Sequence, residues 1–449
     1  MVYVHTAMLN AIGVIVAFIV IILLIRKRFN FGLSLLIGSV IIGLFSLQII
    51  EILDIPKAFI SGSIYSFQDQ QIQTDTVELA LLMVLIYILA KCMQETGAIT
   101  KLIHSLQSFF SKGGILGIIP AIYGLMPVPG GALFSAPLID KEGESFKLKQ
   151  TQKNFLNVWF RHIWFPIYPI SSAMATICSQ EFANINIYEL IIANIPSFLG
   201  FIIIGYLFLK YYTKPQADTI VKSEKDYRGL LYLLIPVVPI FYYVSAGLGA
   251  GFAYVRFVPS SSIFEGFTLI RPYQISIFVL GLVTSIFLLY CFVDIEPKKY
   301  FELIKTSVSF KLALAIFGIM IFREMFDISG VNVIILDVMN GLAFPSLVII
   351  ILIPLILGLL TGYNLGAIAL SYFIVEPFFQ TTGINHIGLT SLVFISSLVG
   401  YLISPIHLCN VLSSDYLKTD TTRMYKMYIP ASLCLLIIQI VFLLFFYTA

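Results

Sequence analysis

Apolar runs of about 18 residues or more recur along the whole sequence, each long enough to cross a hydrocarbon core of roughly 30 Å as a helix. Hydrophobic residues make up 59% of the 449 and charged ones only 11%, well below the roughly 25% of a soluble domain, so a water-soluble globule is excluded. The sequence therefore predicts an all-α polytopic membrane protein. A net charge of +3 carries no nucleic-acid signature. Cys92, Cys178, Cys291, Cys409 and Cys434 are scattered singly through apolar segments without CxxC spacing, which argues against a disulfide framework and a metal site and leaves them as small core residues. The first run, Ala7 to Ile25, is followed by Arg26, Lys27 and Arg28 rather than preceded by basic residues. That is the reverse of a signal peptide, and the run is expected to stay as a transmembrane helix.

Spans are predicted at about 7–25, 31–50, 77–94, 155–178 and 188–211, forming a first half over 1–212. A polar cytoplasmic linker, 213–227 (TKPQADTIVKSEKD and its neighbour), leads to a second half over 228–449, with spans at about 229–247, 273–293, 310–326, 388–412 and 427–447. Two further apolar segments are broken. In 113–139 the stretch MPVPGGALFSAP, Met126 to Pro137, sets two prolines and then two adjacent glycines where a continuous helix would need amide donors and stiff backbone. Segment 341–380 carries TGYNLGAIALS, Thr361 to Ser371. The expected layout is about ten transmembrane helices plus two re-entrant hairpins.

Lysine and arginine set orientation. With the amino terminus outside, Arg26 to Arg28, Lys141 to Lys153, Lys210 to Arg228, Lys298, Lys299 and Lys418 to Lys426 fall in the cytoplasm, against Lys57, Arg256 and Arg271 outside. This requires both hairpins to return to the side they left, and it places both termini outside the cell.

The halves share a series of anchors in fixed order. Gly97 pairs with Gly330 (330 − 97 = 233), Gly131 with Gly366 (366 − 131 = 235), Asp140 with Glu376 (376 − 140 = 236), Pro166 with Pro405 (405 − 166 = 239) and Asp54 with Asp294 (294 − 54 = 240). Five crossings per half is an odd number, so a second copy enters the membrane upside down. Such inverted-topology repeats place a site near the midplane, where broken helices of both copies meet. Residues 51–76 and 294–307 become matching connectors, the latter amphipathic and suited to the membrane surface.

Four polar breaks result: the two hairpins, FPIYPISS (Phe165 to Ser172) and SPIHLCNVLSS (Ser404 to Ser414). Irregular backbone at membrane depth is tolerated only when buried in protein or lining a cavity, so these breaks mark a candidate site. The candidate substrate contacts are Pro129, Gly130, Gly131, Ser135, Arg161, Ser171, Ser172, Thr361, Gly362, Asn364, Gly366, His407 and Asn410. Gly131, Ser135, Asn364 and Asn410 form the candidate sodium set, since sodium seeks several oxygen ligands. Half-helix amino termini after Gly131 and Gly366 present amides and a positive dipole end to an anion. Against these stand ordinary roles. Pro, Gly and Ser also serve as kinks, Asn364 and Asn410 as helix-to-helix bonds, and His407 as a locally satisfied histidine. Arg161, about 9 Å into its span beside His162, can snorkel to the interface. Arg323, Glu324 and Lys91 read as paired or solvated helix-end charges, Asp140 and Glu376 as structural hairpin ends, and Trp159 and Trp164 as markers of the cytoplasmic interface.

GLMPVPGGALFSAPLID with this layout resembles an uncharacterised prokaryotic membrane family, domain of unknown function 401. That family is grouped with the ion transporter superfamily, which includes dicarboxylate and citrate symporters, gluconate and lactate permeases, and sodium/proton and arsenite transporters. The resemblance implies a homodimer in the cytoplasmic membrane, with central scaffold domains and transport domains that move as rigid units, an elevator architecture. The dicarboxylate symporters bind sodium and substrate carboxylate through Ser-Asn-Thr motifs in the hairpins and broken helices. This sequence lacks that motif, and Ser135, Asn364, Ser171, Ser172 and Asn410 occupy the corresponding breaks.

The expected function is secondary transport of a small organic anion of the carboxylate class, coupled to sodium or protons, with no other cofactor and no enzyme activity. The alternative is a sodium/proton antiporter, which needs a membrane-buried carboxylate that no span clearly offers. An intramembrane enzyme lacks an HExxH or other catalytic constellation, and a channel is the remaining class. If the hairpins form one site, backbone should come mainly from the first and side-chain ligands mainly from the second.

Overall fold

The computed structural model describes residues 2–67, 70–125, 131–213, 226–335 and 344–448. Among the described residues, seven helices are long and apolar enough to cross a membrane, and four shorter apolar ones, Phe31–Phe45, Gly113–Gly124, Ser346–Thr361 and His386–Leu402, accompany them. The fold is an all-α polytopic membrane protein. Large apolar side chains such as Ile15, Phe241, Phe287 and Phe445 are exposed around its outside, as a lipid-facing surface requires.

The helices form two packed groups. One contains Val2–Arg26, Phe31–Phe45 and Asp75–Glu95, with Val238–Phe257, Gln274–Phe292 and Phe310–Ile328 of the second half. Within it Phe31–Phe45 packs on Phe310–Ile328, and Asp75–Glu95 packs on Gln274–Phe292. The other group contains both hairpins, both broken spans and the long closing helices Ile187–Thr213 and Thr421–Phe446. There the second arm of hairpin one, Ala132–Ser145, packs on Leu408–Tyr416, while the second arm of hairpin two, Asn364–Val375, packs on Ser172–Cys178. Each half thus lays its hairpin on the broken span of the other. Polar ties between the groups run through Arg323, which pairs with Glu181 and lies 5.6 Å over the Phe373 ring, and through Gln274, whose Nε2 donates to the carbonyls of Cys178 (3.0 Å) and Ile185 (3.1 Å).

Several elements differ from their sequence-based bounds for local reasons. The span expected at 229–247 begins instead with 3-10 turns at Gly229–Leu233 and Ile235–Val237 and runs as a helix over Val238–Phe257. Pro236 withholds an amide that a continuous helix would need, and Pro239 falls in the first turn of the new helix, where none is required. The 51–76 connector holds a short helix, Asp54–Ser61, and a two-stranded antiparallel pair with Tyr65 opposite Ile72 and Ser66 opposite Gln71. Its counterpart is the helix Pro297–Ser307, anchored by Tyr300 Oη donating to the Ile286 carbonyl at 2.7 Å. Gly97 and Gly330 both adopt left-handed φ, +73° and +68°, immediately after the helices Asp75–Glu95 and Phe310–Ile328.

Two side chains expected at the surface are buried in the protein. Trp159 is fully buried, its Nε1 donating to the Phe201 carbonyl at 3.0 Å and its ring stacking on Phe155. Lys153, expected among the cytoplasmic loop charges, is only 2% exposed and pairs with Asp140 at 2.6 Å, joining hairpin one to the helix Gln150–Arg161. The helix-end readings of Arg323 and Lys91 hold: Arg323 pairs with Glu181 and Asp327, and Lys91 with Glu95.

The Lys153 pair makes a measurable prediction. Asp140→Asn leaves an ammonium buried without its counter-charge and should lower unfolding stability in detergent by about 2 kcal/mol, less than the ~3–5 of a sealed pair because Asp140 is 31% exposed. Replacing both, Asp140→Leu with Lys153→Met, should recover most of the loss in a thermal or denaturant melt.

Candidate functional site

Backbone opened by proline and glycine exposes carbonyls, and their partners define the site. Hairpin one's first arm, Lys112–Gly124, ends with the Tyr123 carbonyl accepting from Arg161 Nη1 at 2.8 Å and the Ala121 carbonyl accepting from Trp164 Nε1 at 3.0 Å. In the first broken span, the Pro166 carbonyl accepts from Asn194 Nδ2 at 2.9 Å. In the second, the Ser404 carbonyl accepts from Tyr425 Oη at 2.9 Å, and Ser404 Oγ donates to the Leu359 carbonyl of hairpin two at 2.7 Å. Arg161 is 4% exposed, so its guanidinium stays inside the protein and does not snorkel to the surface.

A cavity of about 320 Å³ lies where these breaks converge. Its wall takes Arg161, His162, Phe165, Ser171 and Ser172 from the first broken span, Gly362 to Leu365 from hairpin two, and Tyr401, Leu408 and Cys409 from the second broken span. Ile25 and Phe31 of the opening helices close it from the other helix group. Among the described residues the wall carries no carboxylate. A second cavity of about 1050 Å³, beside Asp75, Glu181, Arg323, Glu324 and Asp327, lies away from the hairpin breaks.

Of the residues singled out in the sequence, Arg161, Ser171, Ser172, Gly362 and Asn364 share this wall. Pro129 and Gly130 lie outside the described residues. Asn364 Oδ1 accepts from Ser397 Oγ at 3.0 Å, while its Nδ2 is buried without a partner among the described residues. Gly131 lies against the Arg161 guanidinium, which occupies the space a side chain there would take. Thr361 is bonded within its own turn, Oγ1 donating to the Leu357 carbonyl at 2.7 Å. Gly366 packs beneath Phe31 and Tyr363. Ser135 and Asn410 are engaged elsewhere: Ser135 Oγ donates to Asn157 Oδ1 at 2.5 Å, and Asn410 Nδ2 donates to Tyr425 Oη at 2.9 Å. His407 lies behind the wall, its ring 4.1 Å from that of Tyr401.

Sequence reasoning missed the residues that hold this arrangement. Asn157 Nδ2 donates to both the Ala132 carbonyl (2.9 Å) and Ser413 Oγ (2.8 Å), joining hairpin one to the second broken span. Asn194, Ser391, Gln439 and Ser197 form a buried chain in which Ser391 Oγ donates to Asn194 Oδ1, Gln439 Nε2 donates to Ser391 Oγ, and Ser197 Oγ donates to Gln439 Oε1. Their signal is the one that marks Asn364 and Asn410: an unpaired amide in an apolar span is expensive.

These features define a polytopic α-helical membrane protein with a cavity at converging helix breaks whose described wall carries a buried arginine and no carboxylate. The chain belongs to the DUF401 family of proteins of unknown function, whose profile matches residues 8–445. No match is found among curated proteins. Among solved structures its fold is similar to the crystal structure of the YdaH transporter of Alcanivorax borkumensis, with 15% identity, a TM-score of 0.57, and coverage of 94% of this chain and 97% of that one.

Gly362 joins two of the breaks. Its φ is +60°, and an added Cβ would lie 2.7 Å from Ile406 Cγ1, 3.0 Å from the Ile406 carbonyl carbon and 3.1 Å from the His407 nitrogen. Gly362→Ala should therefore cost about 2 kcal/mol or more, combining left-handed strain of roughly 1–2 kcal/mol with displacement of backbone. Gly383, with φ +69° and open space around it, isolates the strain alone. Gly383→Ala should melt closer to the unaltered protein than Gly362→Ala does.

Proposed function

We propose that the protein is a secondary transporter that carries a small organic anion of the carboxylate class across the cytoplasmic membrane by alternating access, coupled to sodium or protons. The observation that carries this reading is the cavity wall: a buried arginine and an unpartnered asparagine amide face a space of about 320 Å³ with no acid on its described wall. A bidentate guanidinium suits a planar carboxylate. The amino terminus of Asn364–Val375, a 12-residue helix whose first residues are on the wall, adds amides and a positive dipole end. The lack of a wall carboxylate favours an anion carrier over a sodium/proton antiporter, whose chemistry needs one.

The similarity of fold to a transporter supports the same reading. So does the partition of the helices, because the cavity is closed on one side by Ile25 and Phe31 of one group and on the other by the breaks of the second. In this proposal the hairpin group moves as a rigid unit against the other, within a homodimer of inverted-repeat subunits. Sodium binding by the set Gly131, Ser135, Asn364 and Asn410 would need Ser135 and Asn410 to turn from their partners Asn157 and Tyr425.

A thermal-shift screen of purified protein against small mono-, di- and tricarboxylates, with sodium and pH varied, tests the substrate class. A ligand at 100 times its Kd should add about 2.7 kcal/mol to stability. Arg161→Gln should abolish the shift and Arg161→Lys should weaken it. No response to any carboxylate, or a response unchanged in Arg161→Gln, rejects the anion reading.

Movement is tested separately. Arg323 and Glu181 belong to different groups and touch, so cysteines introduced as Glu181→Cys and Arg323→Cys, bridged by a short bifunctional thiol reagent, should stop uptake in proteoliposomes until the link is cleaved. Full uptake with the bridge in place would rule out relative motion at this contact.

A further inference from the structure

Three buried donors from distant segments meet at the back of the cavity. A ring nitrogen of His162, a ring nitrogen of His407 and Cys409 Sγ all lie within 4.8 Å of one another, and the residues are 0%, 0% and 5% exposed. His162 Nδ1 lies 2.6 Å from the Val158 carbonyl, which can only accept, so the proton is on Nδ1 and the lone pair on Nε2. That lone pair now accepts from Tyr401 Oη at 3.2 Å. A metal-ligating histidine is held in the same way, donating its other N–H to a backbone carbonyl. His407 is the odd member. Beyond the adjacent Cys409 thiol, neither of its ring nitrogens has a hydrogen-bond partner among the described residues, and its ring neighbours are His162, edge-on at 4.8 Å, and Tyr401, tilted at 4.1 Å between centroids. Buried polar groups are normally satisfied, so an imidazole this deep with open nitrogens points to a missing ligand.

We propose that His162, His407 and Cys409 bind a divalent cation of the zinc class, with a fourth coordination position open to the cavity. Two imidazoles and a thiolate are borderline-to-soft donors that suit zinc-like ions and not sodium or magnesium, which take oxygen. Bond lengths of about 2.0–2.3 Å in a tetrahedral site bring the donors to about 3.3–3.6 Å from one another, so side-chain rotation of about 1 Å closes the site. Binding displaces the Cys409 thiol proton to solvent and leaves one net positive charge on the centre. His162 and Cys409 are on the cavity wall, so water or an anionic ligand can complete the shell. The spacing of the cysteines in the sequence argued against a metal, because only the fold brings His162 to the His407-Leu408-Cys409 turn.

The site does not depend on the anion reading, and its test uses the metal alone. Tag-free, full-length protein in detergent is titrated with cobalt as a spectroscopic substitute for zinc. One equivalent should give intense tetrahedral d–d bands and a thiolate-to-cobalt charge-transfer band, with one proton released, and zinc should displace it. Cys409→Ser should lose the charge-transfer band, while Cys178→Ser, at a buried cysteine elsewhere, should keep it. A wild-type spectrum that never saturates, or a charge-transfer band that survives in Cys409→Ser, overturns the proposal. The first of these readings needs no variant, so misfolding of a mutant cannot rescue the idea.

Discussion

A peptide group released from its helix inside a membrane has no water to bond, and each unmet group costs several kcal/mol there. The architecture of this protein follows from how that demand is met. The carbonyls of Ala121 and Tyr123 are met from Trp164 and Arg161, that of Pro166 from Asn194, that of Leu359 from Ser404, and that of Ser404 from Tyr425. In each case the donor lies on another segment. A break can therefore exist only where two segments are already packed, and the donors that repair the breaks also fasten the hairpins to the broken spans.

This explains which parts were legible. Apolar length predicted the helices, and proline-glycine clusters predicted where they stop, because both are local properties of the chain. The helix ends at Gly97 and Gly330 were readable for the same reason: each turns left-handed, and glycine does so without strain. Repair of the breaks was not readable. Asn157 and Asn194 are isolated amides in apolar text, and their partners Ser413 and Ser391 lie 256 and 197 residues away. The same holds for Trp159, whose indole N–H is met by the Phe201 carbonyl 42 residues away.

Both halves supply side chains to the cavity. For the hairpins, the sequence predicts backbone mainly from the first and side-chain ligands mainly from the second. The first half contributes the arginine from its broken span, and Gly131 of its hairpin leaves the room that the guanidinium fills. The second contributes Asn364, whose carbonyl oxygen is engaged by Ser397 and whose amide points to no described partner. Each half so presents a donor group to the shared space. Glycine at 131 and 362 matters for contact and not merely for bending, since one makes room for Arg161 and the other for the backbone at Ile406 and His407.

Burial decides what such an arginine can do. On a surface, a guanidinium facing a carboxylate contributes about 0–1 kcal/mol, because water competes for both. At an effective dielectric constant near 20 the same contact at about 4 Å is worth about 4 kcal/mol before desolvation is counted. Desolvation usually cancels such a gain, since both ions must leave water. Here the guanidinium has already left it in the folded chain, with Nη1 on the Tyr123 carbonyl. In the proposed anion carrier, an entering carboxylate then bears only its own desolvation. A fixed charge held this way attracts without moving, which the proposed alternating access would require of a site that opens, releases its cargo and closes again.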